Sequence, residues 1–129
     1  MPNITPRLQN AEQGDPEQGT WTLIVSALPG EWWNHSTFSP VDQVARCIAE
    51  RTSTNVTVTS GLGVWNEYVE SAVVIRTQAW LGEVENILDV LAEELRFLND
   101  VHVEYHEVET QFVSLHDRRI SNETVCDHS

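Results

Sequence analysis

Leu81, Val84, Ile87, Leu88, Leu91, Leu95 and Leu98 recur at helical spacing, while Glu83, Glu85, Asp89, Glu93 and Glu94 mostly fall elsewhere around the same turns. Residues three and four apart share a helix face, so the spacing predicts an amphipathic helix over about 82–98. A stripe of that length needs a second layer to cover it. Thr20–Leu28 (TWTLIVSAL) supplies one: it is β-rich and almost continuously apolar, as a central strand should be, with Trp21 in the core. Pro29-Gly30 reads as its stop and opens a loop that carries Trp32, Trp33, His35 and Phe38.

The remaining elements fall between these two. Ser39-Pro40-Val41-Asp42 offers a cap, a first-turn proline and an acid, and Val41, Val44, Ala45 and Ile48 continue at helical spacing to about Arg51. Val56 and Val58 alternate with polar neighbours over 55–59, and Gly61 and Gly63 predict a bulge or twist before Trp65. Ser71–Gln78 is a third strand that forms a hairpin with the second. Val101–Leu115 is a last strand whose apolar phase changes, and a kink near Glu107 would reconcile the two halves. Trp65 and Trp80 read as lids over the core.

The order strand, helix, strand, strand, helix, strand is a split β-α-β repeat. It predicts an α+β, ferredoxin-like sandwich: a four-stranded antiparallel sheet with two helices on one face. At 129 residues the chain suits one domain. The expected division is a Pro-, Gly- and Gln-rich arm over 1–19, an α+β domain over 20–115 and a polar tail over 116–129.

Charge narrows the partners. All 7 basic residues are Arg, against 20 acids, for a net charge of −13. Direct binding to nucleic acid or to an anionic membrane is therefore disfavoured. Met1–Gly19 is polar around a lone Arg7, unlike a secretion signal, and no apolar run approaches the roughly 20 residues of a membrane span. A cytoplasmic protein is expected, in the host cytoplasm or the virion if the source is viral. The absence of Lys fits a GC-rich genome or a high-salt cytoplasm. Cys47 and Cys126 make no disulfide framework, and Cys47, on the first helix, reads as a buried reduced thiol. Asn3, Asn34, Asn55 and Asn122 begin N-x-S/T triplets that follow from a Thr- and Ser-rich composition.

Two groups of residues are candidate binding sites. Trp32, Trp33 and His35 share a loop too short to bury them all, and exposed aromatic clusters mark interaction surfaces. His102, Glu104 and His106 alternate along the last strand and so project to one face. Residues two apart on a strand are about 6.8 Å apart and those four apart about twice that, so the two histidines cannot share one ion. A solvated polar face or an oligomer seam is expected there, with no metal. No nucleophile elbow, phosphate loop or Cys-x-x-Cys is present, and no catalytic residues or cofactor are assigned.

Gly61-Leu-Gly63-Val-Trp65, Glu70 ahead of Ala72-Val73-Val74-Ile75, Asn99-Asp100-Val101-His102-Val103 and Gln111-Phe112-Val113-Ser114 together resemble small uncharacterised phage and bacterial proteins over about 55–114. Asn99-Asp100 stands where that pattern often has Gln-Glu. The resemblance implies a ferredoxin-like fold and a viral or prokaryotic origin, and carries no activity. Three functions are then open. The leading one is a non-catalytic partner-binding or assembly protein, homo-oligomeric and with a possible protein partner. The alternatives are a cofactor-independent small-molecule enzyme of the dimeric ferredoxin-like type, with His102 or His106 carrying protons, and an acidic mimic of nucleic acid using the helix acids.

Overall fold

The computed structural model describes residues 19–65 and 68–120, with side chains described outside 62–70 and 110. The elements are β1 (Gly19–Ala27), α1 (Pro29–His35), α2 (Pro40–Arg51), β2 (Thr57–Trp65), β3 (Tyr68–Ala79), α3 (Leu81–Glu94), β4 (Asp100–Tyr105) and β5 (Val108–Ser114), followed by a helical turn over 115–120. The fold is α+β, with one antiparallel sheet in the order β2-β3-β1-β4-β5. It has one strand more than the four expected.

Strand alternation fixes where the core lies. On β1, Trp21, Leu23, Val25 and Ala27 are buried against the helices, opposite Thr77, Ile75, Val73 and Ser71 on β3. Val101 and Val103 on β4 and Val113 on β5 continue the same layer. Val44, Cys47 and Ile48 of α2 and Val84, Ile87, Leu88, Val90, Leu91 and Ala92 of α3 close it from above. Trp21 also donates its indole N–H to Ala79 O at 3.0 Å, which satisfies the one polar atom of a fully buried ring. The Tyr105 ring lies where a Cβ on residue 19 would sit, so any side chain there would have to displace that ring.

Four local expectations need correction. The segment after β1 is a helix rather than a loop: Pro29 occupies its first turn, and Glu31 at the third position accepts from Leu28 N at 3.1 Å. The long helix stops at Glu94, although Leu95 and Leu98 remain buried just beyond it. β2 and β3 pair without interruption from Thr57↔Arg76 to Trp65↔Tyr68, so Gly61 and Gly63 carry no bulge. The final strand is two strands. His106 and Glu107 both adopt positive φ, 56° and 65°, and form a two-residue reversal between Tyr105 and Val108. That is the geometry of a tight hairpin turn, normally given to Asn or Gly. The phase change comes from a bulge further on: Val103 pairs with Gln111 and Glu104 with Glu109, leaving residue 110 extra.

The C-terminal side holds a further difference. Arg118 and Arg119, expected in a polar tail, are buried. Arg119 donates to Ala92 O, Leu95 O and Leu98 O, the carbonyls at and beyond the end of α3. The last turn of α3 has no basic residue of its own, so Arg119 serves as its C-terminal cap from a distance in sequence. Burial, and then the nearby Arg96, push its guanidinium below the usual Arg range. Arg118 pairs with Glu85 and Asp89 on the flank of the same helix.

Candidate functional site

Helix α1 separates the two adjacent tryptophans. Trp32 is completely buried, whereas Trp33 is 53% exposed. Trp32 donates its indole N–H to Ser71 O at 3.1 Å and meets the Phe97 ring edge-on at 5.0 Å. The expected exposed pair is therefore one anchor and one surface side chain. Successive helical positions point about 100° apart, so both rings cannot face solvent when one face is pinned. His35 packs beside Phe97 at 5.2 Å, and Phe38, also exposed, lies under the Arg46 guanidinium at 4.2 Å.

Two open hollows lie beside these residues. One of about 450 Å³ is lined by Glu31, Asn34, His35, Glu94, Arg96 and Phe97. A second of about 250 Å³ shares His35 and Glu94 with it and reaches Gln43 and Cys47. Gln43 is buried and ties the two helices together, donating to Trp32 O at 2.9 Å and to Phe38 O at 2.8 Å. Burial, reinforced by Glu94 and Glu50, pushes the Cys47 thiol up to about 12, so it stays protonated and unreactive at neutral pH.

The second predicted group lies on the sheet face away from the helices. His102 Nε2 stands 3.0 Å from Glu104 Oε2, and its Nδ1 stands 3.2 Å from an oxygen of Glu109 on β5. Phe112 stacks edge-on against the same ring at 4.9 Å. His106 does not join this group. It sits in the β4–β5 turn, donates its backbone N–H to Thr20 O at 2.7 Å and lies against Tyr105. Among the described residues no set of three or more His, Cys, Asp or Glu is placed to hold a metal ion.

Glu109 and Phe112 were not among the predicted site residues. Their proximity to His102 depends on the turn and bulge of the β4–β5 hairpin, and the changed phase of Val108 and Phe112 was the only sign of it. The helix acids of the nucleic-acid-mimic alternative are engaged within the chain. Glu85 and Asp89 bind Arg118, Glu93 and Glu94 bind Arg51, and Glu83 accepts from Trp80 N at 2.9 Å. The Glu93 hydrogen bond is the chief cause raising the Arg51 guanidinium above its usual range.

No helix among the described residues is long and apolar enough to cross a membrane. No family model matches the chain, and no curated protein sequence is similar to it. Among solved structures, a phage SAM lyase in its apo state is similar, with 18% identity and a TM-score of 0.49 over 75% of this chain and 88% of that one.

Proposed function

We propose that this chain is a non-catalytic partner-binding or assembly protein that presents Trp33 and Phe38 from the α1–α2 end of the domain. The carrying observation is the contrast between completely buried Trp32 and half-exposed Trp33 on one seven-residue helix. Trp32 fixes the helix to Ser71 and Phe97, so Trp33 is held out on a rigid base. A large aromatic ring ordered in advance loses little entropy on binding, and such residues dominate interface energetics. In the same reading the β2-β3-β1-β4 part of the sheet, with α2 and α3 on one face, is a ferredoxin-like core extended by β5.

The test is capture from a lysate of the source cells on immobilised protein. Wild type should recover a partner at near-stoichiometric yield. Trp33→Ala should reduce recovery at least about tenfold, the equivalent of about 1.4 kcal/mol, with an unchanged melting temperature. Equal recovery by the two proteins would remove Trp33 from the binding surface. A second reading, the cofactor-independent enzyme, is favoured by the two carboxylates bracketing His102. Its mark would be turnover of a small molecule that His102→Asn abolishes and Trp33→Ala leaves intact.

A further inference from the structure

The sheet face away from the helices has no described element over it, and its residues form rows across the strands. One row runs Thr59, Val74, Ile24, His102, Phe112 through the aligned pairs of all five strands. Val74, Ile24 and His102 are half-buried by their neighbours, and Phe112 is 63% exposed on the outermost strand. This row gives the centre of the face an apolar band, which is uncommon on an open surface that meets only water.

The adjacent row runs Thr57, Arg76, Thr22, Glu104, Glu109. Its charges are divided: Arg76 lies on the β3 side of β1, and Glu104 and Glu109 lie on the β4–β5 side. Neighbouring strands are about 4.8 Å apart, so roughly 10 Å separates Arg76 from Glu104 across the face. Arg76 is exposed, and among the described residues no carboxylate approaches it. Arg51 and Arg118 pair with carboxylates, Arg46 stacks over Phe38 and Arg119 donates to carbonyls, whereas Arg76 stands exposed on this face.

We infer that this face packs against the same face of another copy of the chain. A two-fold axis parallel to β1, lying between two sheets about 10 Å apart, keeps each row at its own level and exchanges the two sides. Arg76 of one copy then stands over Glu104 of the other, beside Glu109, and the Ile24 side chains meet at the centre. In a ring of more copies the same opposition holds, with the β3 side of one sheet against the β4–β5 side of the next. The face is complementary to itself in charge and carries the apolar band between the charged ends. Its surface is separate from the one around Trp33, so the two proposals stand or fall independently.

The experiment uses the full chain, with mass measured by light scattering at about 50 μM in 0.15 M and in 2 M salt. Wild type should give a multiple of 14.6 kDa. Phe112→Asp and Arg76→Glu should each raise the dissociation constant at least about tenfold, with folding checked by circular dichroism. The double variant Arg76→Glu with Glu104→Arg restores opposite charges between copies and should recover most of the association that Arg76→Glu loses. A wild-type monomer in both salts would overturn the proposal. So would an oligomer indifferent to all three variants, because its interface would lie elsewhere. A monomer that associates only after residues 1–18 are deleted would assign the face to the chain's own N-terminal segment, and would also overturn it.

Discussion

The two faces of β1 show how this molecule divides its work. Trp21, Leu23 and Val25 point to the helices and are fully buried, while Thr22, Ile24 and Ser26 point the other way, Thr22 buried among its neighbours and Ile24 and Ser26 partly open. One strand therefore faces a finished core on one side and, on the other, a layer that no described element covers. Helix α1 repeats the division at the scale of two residues, with Trp32 in the core and Trp33 outside it. Adjacent positions of similar composition thus have opposite physical roles, decided by the layer each faces.

The largest effects should come from the buried side. Trp32→Ala should destabilise the protein by about 3–5 kcal/mol, since it removes a filled aromatic site and leaves Ser71 O without its donor. Leu23→Ala should cost about 2–5 kcal/mol, and Ile24→Ala on the opposite face markedly less, in chemical denaturation of the two variants side by side. With both variants compared at a dilution where the chain is monomeric, equal losses for Leu23→Ala and Ile24→Ala would mean that the outer face is covered within the chain itself and not by a second copy. Arg119→Ala should cost about 1–3 kcal/mol, because three carbonyls at the end of α3 lose a charged donor. Glu107→Gly should stabilise the fold by about 1 kcal/mol, read as a raised melting temperature, since glycine takes a φ of 65° without the steric cost.

The periodic elements are legible in the sequence: the α3 stripe, the apolar run of β1 and the Ser39-Pro40 start of α2 each state a period and a boundary. Three features were not, for separate reasons. Helix α1 has only seven residues, too few for a period, and its Pro29-Gly30 reads equally as a stop. The β4–β5 turn uses His106-Glu107, without the Gly or Asn that marks such turns, so one long strand was expected in place of two. Arg118 and Arg119 look like tail charges until the helix end they cap is known. For the site, alternation correctly set His102 beside Glu104, whereas Glu109 needed the bulge, and the fates of Trp32 and Trp33 needed the rotation of α1.

A smaller effect sharpens the contrast between buried and open positions. With its thiol pushed up to about 12, Cys47 carries almost no thiolate at pH 8, and the thiolate fraction grows only as pH approaches that value. Iodoacetamide at pH 8, read by peptide mass, should label Cys47 slowly in the native protein and rapidly in denaturant. Fast native labelling would show that the α2 side of the second hollow is open.

The division itself is tested most directly by oxidising the native protein briefly with N-bromosuccinimide and locating the product by peptide mass. Trp33 and Trp80, both about half exposed, should be oxidised first, while Trp21 and Trp32 should be protected until the protein unfolds. Oxidation of Trp32 at the rate of Trp33 would contradict it, since α1 would then not be fixed to the core and Trp33 would have no rigid base.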